Sequence, residues 1–398
     1  MSTQSKNKIT LFKEDRRLLY LSAIRSVCAA GIIATIVFSL FAYRDDLNIA
    51  NIKRIISYME HMSFKGSPTD TFEFETGLET VCIPFDVGLA TCSGGSFRFI
   101  PPFEGSDFSY QIKYSAPYMR ASSDSVFVYD LGGTGISCLN SYSLKSRITL
   151  ESKIISFTCN LSSQSAVITD EAGYRTALTV FDKKLNEVYK WQTSEHFAFL
   201  PALSPNGKTA AVCCVGQREG SPYFYIKYLP TDGSEPSVTI DLGESRVYSI
   251  EYMPGGDLSV LCGSGFYIYD DKGGLVNGFA FSDGSLNSFR CDLENGLTAI
   301  SLKGEMGDSS RIVVINDEAE AVYDGNFSGD VRYLDISNGV LALLSGKEVC
   351  RIDLEGGECL KKELSGVRDI VITGDGRVTA VYNDFAQTVE FDQGDENE

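Results

Sequence analysis

The fold is decided by the stretch IISFTCNLSSQSAVITDEAGYRTALTVFDKKLNEVYKWQ, residues 154–192. It contains four short runs rich in Val, Ile, Phe and Tyr, separated by clusters of Gly, Asp, Asn and Ser. Such runs are typical of β-strands, and the polar clusters are typical of the turns between them. The stretch therefore predicts four strands, of which the second, with AVIT at 166–169, is the most apolar.

The same order recurs along the chain, for example in VYSIEYMPGGDLSVLCGSGFYIYDDKGGLVNGFAF (247–281) and VRYLDISNGVLALLSGKEVCRIDLEGGECLKKEL (331–364). Four-stranded units at a period of about 40 residues are the signature of a β-propeller, in which each unit forms one blade and the second strand is buried between its neighbours. The units divide at 78–114, 115–152, 153–194, 195–244, 245–284, 285–329, 330–366 and 367–392.

The last unit supplies only three strands, and FEFET (72–76) is a strand without a unit at the opposite end of the domain. Pairing these two would complete the last blade and close the ring, which removes two exposed sheet edges. The sequence therefore predicts an all-β fold, an eight-bladed β-propeller over residues 71–392 with an acidic tail at 393–398. Seven blades are the alternative if Asp107–Arg147 is divided wrongly.

A membrane anchor is predicted by Ser26–Tyr43, eighteen consecutive residues without a charge. As a helix this run would be roughly 27 Å long, about one hydrocarbon thickness. The head at 1–25 carries six basic and two acidic residues, so the remaining chain carries a net charge of −22. Basic flanks stay in the cytoplasm, which predicts a single-pass cell-membrane protein with a cytoplasmic N-terminus and an extracytoplasmic propeller. A cleaved signal peptide is the alternative, but its basic region would be unusually long.

A stalk is predicted between the span and the propeller, over residues 44–70. Within it, Leu47–Met62 has apolar side chains at spacings of three and four, which predicts a short amphipathic helix. That helix could lie on the membrane surface, pack against the propeller or pair with another copy. The segment SFKGSPTD (63–70) follows as a linker.

Ten of the eleven cysteines lie beyond the predicted span, and most fall within apolar strand-like runs such as AAVCCV (210–215). An outward-facing domain permits disulfides, but the spacing shows no repeat, so we expect small buried hydrophobic side chains. No C-x-x-C occurs, and the two histidines are His61 and His196. No metal site is predicted.

A resemblance to known propellers rests on SPNGKTAAV (204–212), with looser copies at MPGGDLSV (253–260) and TGDGRVTAV (373–381). These resemble the turn between the first two strands of blades in TolB-like and WD-type propellers. The whole plan resembles uncharacterised membrane-anchored propeller proteins of anaerobic Gram-positive bacteria, often labelled PQQ-like. Quinoprotein blades carry a recurring tryptophan motif, whereas this chain has a single tryptophan, Trp191, so no cofactor is expected.

The sequence contains no set of residues that indicates catalysis. There is no G-x-S-x-G, His61 lies in the stalk, and His196 lies in a strand where a partly buried structural role is expected. A net charge of −18 and a pI near 4.6 argue against nucleic acid as a partner. The alternative to a binding function is a glycan hydrolase or lyase that uses a pair of carboxylates at the propeller channel.

The candidate site is one loop face of the propeller. In this fold, the turns between second and third strands gather on one face, and the largest here are TDEAGYR (169–175), GQREGS (216–221) and KGEMGDSS (303–310). Their mixed charged and aromatic groups are typical of interaction sites. We therefore predict a binding or scaffold module at the cell envelope, with a protein or cell-wall partner. The candidate binding residues are Asp170, Glu171, Tyr174, Arg175, Gln217, Arg218 and Glu219.

Overall fold

The computed structural model describes residues 24–35, 71–73, 80–93, 95–102, 107–234, 238–281, 284–304 and 309–391. The chain divides into two compact units, Met1–Met59 and Glu60–Glu398. In the first unit, residues 24–35 are helical and exposed.

The anchor and the stalk are only partly covered by this description. Within the described residues, no helix has the length and apolar character needed to cross a membrane. The helix at 24–35 covers the first part of the predicted span, while residues 36–43 lie outside the described residues, as do the stalk helix, the linker and the acidic tail. The membrane span therefore stays a prediction.

Within its described residues, the second unit contains thirty-two strands, which form eight four-stranded antiparallel sheets. The strand β1 covers Thr71–Glu73. Blade 1 comprises β2 (Thr80–Phe85), β3 (Gly88–Ser93), β4 (Ser96–Ile100) and β5 (Phe108–Gln111). Blade 2 comprises β6 (Pro117–Ala121), β7 (Val126–Asp130), β8 (Gly135–Leu139) and β9 (Leu144–Thr149). Blade 3 comprises β10 (Lys153–Cys159), β11 (Ser165–Asp170), β12 (Thr176–Phe181) and β13 (Glu187–Thr193). Blade 4 comprises β14 (Phe197–Leu203), β15 (Thr209–Arg218), β16 (Ser221–Pro230) and β17 (Val238–Gly243).

The remaining blades follow the same order. Blade 5 comprises β18 (Val247–Tyr252), β19 (Leu258–Cys262), β20 (Gly265–Tyr269) and β21 (Leu275–Ala280). Blade 6 comprises β22 (Ser285–Asp292), β23 (Leu297–Lys303), β24 (Ser309–Ile315) and β25 (Ala321–Ser328). Blade 7 comprises β26 (Val331–Ser337), β27 (Val340–Ser345), β28 (Glu348–Asp353) and β29 (Cys359–Glu363). Blade 8 comprises β30 (Asp369–Ile372), β31 (Val378–Val381) and β32 (Phe385–Thr388), with β1 as its outermost strand.

The ring closes between the two ends of the propeller. The strand β1 pairs antiparallel with β32, with Phe72 opposite Ala386. This confirms that the strand near the start of the domain completes the last blade. The eight-bladed prediction is confirmed and the seven-bladed alternative is wrong, because Asp107–Arg147 spans the end of blade 1 and most of a complete blade 2.

The first strand of each blade lies innermost, beside the channel, and packs against the first strand of the next blade at seven of the eight junctions; the exception is the junction between β18 of blade 5 and β22 of blade 6. Because successive strands are antiparallel, the connections between blades and the turns between second and third strands share one face. We call this the upper face. The turns between first and second strands, and between third and fourth strands, form the lower face.

The core lies between adjacent blades and not within any single sheet. One cluster, for example, joins Ile168 and Leu178 of blade 3 to Val212 and Leu229 of blade 4. The second strands supply most of this core, and every residue of β19 is buried. A blade therefore stabilises its neighbours by burying apolar area on both faces.

The SPNGK turn has the predicted geometry. Gly207 has a φ of +68°, which favours glycine, and the Asn206 side chain accepts a hydrogen bond from the Lys208 amide at 2.9 Å. The prediction for the cysteines is also confirmed: in the described residues, which include all eleven, none forms a disulfide and eight of the ten in the propeller are buried. Burial raises the pKa of Cys82, for example, to about 12, so its thiol is unreactive.

Candidate functional site

The most distinctive feature of the upper face is a long hairpin in blade 4. Its strands β15 and β16 have ten residues each, whereas the other turns between second and third strands join strands of four to seven residues. The inner strand β14 pairs with β15 only as far as Val215, and the outer strand β17 pairs with β16 only as far as Phe224. The tip at 216–223, which we call the hairpin tip, therefore projects roughly 10 Å past the flanking strands.

The hairpin tip is a two-residue turn and not the six-residue loop that GQREGS suggested. Arg218 pairs with Ser221, and the two central residues, Glu219 and Gly220, have φ of +53° and +92°. Positive φ at both central positions is the type I′ geometry that matches the twist of a tight hairpin. The tip is thus a defined structure, with exposed Gln217, Arg218 and Glu219.

Two side chains of the tip, Arg218 and Tyr223, form a compact charged and aromatic group with Asp241 of the outer strand β17. The Arg218 guanidinium lies 3.7 Å from the centre of the Tyr223 ring, and its Nη1 lies 3.6 Å from Oδ2 of Asp241. A hydrogen bond from Tyr223 lowers the pKa of the Asp241 carboxyl. An exposed ion pair adds little stability, so its main effect is to orient the arginine and the ring.

An aromatic row continues from the tip towards blade 3. Tyr223 and Tyr225 have ring centres 5.7 Å apart, and the Tyr225 hydroxyl lies 2.6 Å from Nδ1 of His196. His196 in turn stacks on Trp191 with ring centres 6.2 Å apart. His196 is partly buried, as the sequence predicts, and burial lowers its pKa. The row therefore links the outer strand of blade 3 to the hairpin tip.

The predicted residues of blade 3 lie on the same face, at the end of β11 and in the turn at 171–175 that follows it. Asp170, Tyr174 and Arg175 are exposed. Glu171 is not free, because its carboxylate accepts hydrogen bonds from Lys190 Nζ at 2.8 Å and Gln192 Nε2 at 3.1 Å. The Lys190 bond lowers the pKa of Glu171, which indicates that this carboxylate fastens the turn to the outer strand.

The structure thus brings the seven predicted residues to one face, in two groups on adjacent blades. Among the described residues, no hydrogen bond or ion pair joins the two groups directly; the aromatic row lies between them. Sequence reasoning missed Tyr223, Tyr225 and Asp241, although the alternation of YFYIKY (223–228) places two tyrosines on one side of a strand. Residues 305–308 of the third predicted loop lie outside the described residues.

The channel end of the upper face is also rich in aromatic side chains. Tyr118, Phe197, Tyr248 and Tyr333 are exposed, and each lies within the first three residues of an innermost strand. The innermost strands of blades 3 to 7 each have a register shift at their second or third residue, which is Tyr248 in blade 5 and Asn287 in blade 6. Such bulges change the direction of a side chain and are frequent next to functional sites.

A cavity of about 430 Å³ lies in the channel beside blade 6. The innermost strand of that blade, β22, has no buried residue, unlike the other seven innermost strands, all of which are described in full. We call this cavity the cup. It is lined by Arg120, Tyr248, Glu251, Leu286, Asn287, Ser288, Phe289, Arg290, Cys291 and Leu293.

Two contacts cross the channel near its lower end. Arg120 of blade 2 forms an ion pair with Glu251 of blade 5. Ser123 of blade 2 donates a hydrogen bond of 3.3 Å to Glu294 of blade 6, the blade opposite it in a ring of eight. Both partners of the second contact lie in lower-face turns. The lower end is therefore constricted, while Tyr248 at the other end is exposed to solvent.

The hydrolase or lyase alternative needs two carboxylates that are free to act. Four acidic residues lie on the innermost strands, but each is already bonded: Glu251 to Arg120, Asp292 to the amides of Glu294 and Asn295, Asp335 to the amides of Ile336 and Ile372, and Asp369 to the Ile370 amide. Burial raises the pKa of Asp335 to about 7 and also raises that of Asp369. These bonds give each carboxylate a structural role, and the glycan hydrolase or lyase function stays a prediction.

A serine and a lysine also meet on the lower face of blade 2. Lys145 Nζ lies 2.9 Å from Ser125 Oγ and 3.1 Å from Asp124 Oδ2. Ser125 is completely buried, so no substrate can reach its hydroxyl. Asp124 also accepts a hydrogen bond from Ser163 of blade 3, and the group joins two blades. In the described residues, no group of His, Cys, Asp and Glu could hold a metal ion.

Three solved structures show the same fold at low sequence identity. The C-terminal WD40 domain of Sif2 is 12% identical with a TM-score of 0.58, covering 81% of this chain and 99% of that one. A eukaryotic initiation factor is 12% identical with a TM-score of 0.53, covering 81% and 86%. The quinohemoprotein alcohol dehydrogenase ADHIIG from Pseudomonas putida HK5 is 11% identical with a TM-score of 0.51, covering 79% and 71%. These likenesses establish the propeller fold alone.

No curated protein shows a match to this chain. A sequence family of unknown function, DUF5711, matches residues 70–391, which is the whole described propeller from β1 to the end of blade 8. The chain therefore belongs to the DUF5711 family of unknown function.

Proposed function

We propose that this protein is a single-pass, membrane-anchored propeller that binds a partner protein through its upper face outside the cytoplasmic membrane. The observation that carries the binding proposal is the hairpin tip, which projects past the strands on both sides. A rigid element that presents an exposed Arg and a partly exposed Tyr side chain on a stable ring is well suited to recognition.

The chemistry of the tip favours a protein partner. Arg and Tyr are, with Trp, the residue types enriched among those that dominate binding energy at interfaces, and here they are held together before binding. The type I′ turn fixes the backbone, so little conformational entropy is lost when a partner contacts it. The neighbouring exposed Tyr174 and the aromatic row extend the surface across two blades.

The binding proposal is tested by placing the photocrosslinking residue p-benzoylphenylalanine at Glu219 in the full chain in living cells. The matched control site is Glu358, an exposed glutamate in a turn on the lower face of blade 7. We expect a discrete crosslinked protein from position 219 that is lost when Arg218→Ala is added. Equal adducts from both sites, or no adduct from position 219, would contradict the proposal.

The membrane proposal is supported by the uncharged run at 26–43 and by the basic head before it. Protease added to intact cells, or to spheroplasts where a cell wall blocks access, should digest the propeller and leave an N-terminal epitope intact. Lysed cells provide the control, in which both parts are digested. Full protection of the propeller in intact spheroplasts would refute the outward orientation, and release of the full-length chain by carbonate washing would refute the anchor.

A further inference from the structure

We infer that the cup is a binding site for the C-terminal end of a polypeptide, whose free carboxylate is held by Arg290. The inference does not depend on the hairpin tip or on membrane anchoring. It rests on the size of the cup, on the bonding of the polar groups that line it, and on the strand that forms its wall.

The size and walls of the cup fit a short, partly apolar ligand. A volume of about 430 Å³ lies within the range of about 300–1,000 Å³ that is common for ligand sites. Leu286, Phe289 and Leu293 contribute apolar surface, and Tyr248 adds an exposed ring. The cup thus combines apolar walls with a small number of polar groups, the usual composition of a binding pocket.

Arg290 supplies the charge that would hold an anion. Its side chain is exposed at the cup, and its Nη1 donates a hydrogen bond of 3.3 Å to the carbonyl of the preceding residue, Phe289. Among the described residues, no carboxylate lies within ion-pair distance of it. The other arginine of the cup, Arg120, is neutralised by Glu251. Arg290 is therefore the arginine of the lining without an ion-pair partner, and Asp335 and Asp369, although beyond ion-pair distance, offset part of its charge. A guanidinium binds a carboxylate through two parallel hydrogen bonds.

Asn287 supplies an acceptor for a backbone amide. Its Nδ2 donates hydrogen bonds to Asp330 Oδ1 at 2.7 Å and to the Val331 carbonyl at 2.8 Å, so both hydrogens are used and the amide is fixed in orientation. Among the described residues, no donor is bonded to its Oδ1. That oxygen is available to a ligand N–H group, and a peptide chain offers one at each residue.

The spacing of the two groups favours a peptide over a single amino acid. Asn287 and Arg290 are three residues apart on β22, which is roughly 10 Å along an extended strand. A ligand that is bonded to both must span several ångströms between its N–H group and its carboxylate. The last two or three residues of an extended polypeptide meet this requirement, because each adds about 3.3 Å.

The inference is tested with the full chain in detergent by isothermal titration calorimetry. The probes are acetyl-Gly-Gly-Phe with a free carboxylate, the same peptide as its C-terminal amide, and acetyl-Phe with a free carboxylate. We expect the free tripeptide to bind at least tenfold more tightly than its amide, and acetyl-Phe to bind more weakly than the tripeptide. Tighter binding of acetyl-Phe would contradict a polypeptide ligand, and equal binding of acid and amide would refute carboxylate recognition.

Matched variants locate the binding site. Arg290→Gln should lower the affinity for the free tripeptide at least tenfold and leave that for the amide unchanged. Arg377→Gln, in a lower-face turn of blade 8, and Arg218→Ala, in the hairpin tip, should change neither. An unchanged affinity in Arg290→Gln, or an equal loss in Arg377→Gln, would refute the site. The comparison of acid with amide on the unaltered chain needs no variant to fold, and failure of both peptides to bind there would also overturn the inference.

Discussion

Replacing Phe72 by Ala should strongly destabilise the whole propeller, because Phe72 fastens the strand that closes the ring. Its side chain is 1% exposed and packs in the cluster that joins blade 8 to blade 1, which includes Leu89, Ile100 and Val381. The strand itself has three residues, and those on either side of Phe72 are exposed. Burial of this one ring is therefore the main side-chain contribution of β1 to closure.

The magnitude follows from the area removed from water. A buried aromatic side chain removes about 150–250 Å² from water, which at about 25 cal/mol per Å² corresponds to about 4–6 kcal/mol. Phenylalanine-to-alanine changes in protein cores cost about 3–5 kcal/mol. Because a strand of three residues can detach and thereby relax part of the cavity, we expect the lower end of this range, about 3 kcal/mol.

The assay is urea unfolding of the full chain in detergent, followed by tryptophan fluorescence. The single tryptophan, Trp191, lies in blade 3, far along the ring from the closure, so a shift in its transition shows that closure is coupled to the ring as a whole. Thr71→Ala is the control, because Thr71 is in the same strand and exposed, and it should cost less than about 0.5 kcal/mol. A loss below about 1 kcal/mol for Phe72→Ala would refute the reasoning about closure.

Two further predictions concern the channel. Glu251→Gln should lower the free energy of unfolding by about 1–2 kcal/mol in the same assay. This loss is smaller than that expected for a fully buried ion pair, because the Arg120 side chain is 34% exposed. An unchanged free energy of unfolding would show that the pair contributes nothing. Binding of acetyl-Gly-Gly-Phe should strengthen as the pH falls from 8 to 6. Burial raises the pKa of Asp335 to about 7, so this carboxyl becomes neutral over that interval and no longer offsets the charge of Arg290, while the peptide carboxylate stays ionised. Burial also raises the pKa of Asp369, so its protonation strengthens binding in the same direction. Calorimetry at pH 8 and pH 6 measures the change in affinity, and an affinity that weakens towards pH 6 would contradict the prediction.

Most of the fold could be predicted because each blade repeats the same local chemistry. The turn residues and the apolar second strands recur at a nearly constant spacing, and both reflect interactions between residues that are close in sequence or in adjacent blades. Even the closure by β1 followed from a simple count of strands. The length of the blade 4 hairpin was missed because Gly216 and Arg218 look like loop residues, although they form paired strands.

The cup could not be predicted from the sequence, since its geometry depends on residues that are far apart along the chain. Arg120 and Glu251 are separated by 131 positions, and Ser123 and Glu294 by 171. The sequence contains fifty-three acidic residues, and nothing in the repeat marks which of them face the channel. The acidic turn at 292–296, for example, is bonded to a residue of the opposite blade.

The two candidate binding features are both departures from the repeat. Seven innermost strands contain buried residues, whereas β22 contains none and forms the wall of the cup. Seven of the eight hairpins between second and third strands are short, whereas β15–β16 extends past both flanking strands. A blade that only stabilised its neighbours would gain nothing from either change, because both reduce the share of its residues that are buried. Both departures expose polar and aromatic groups in place of buried apolar side chains. This pattern is expected where residues are selected for binding and reduce stability.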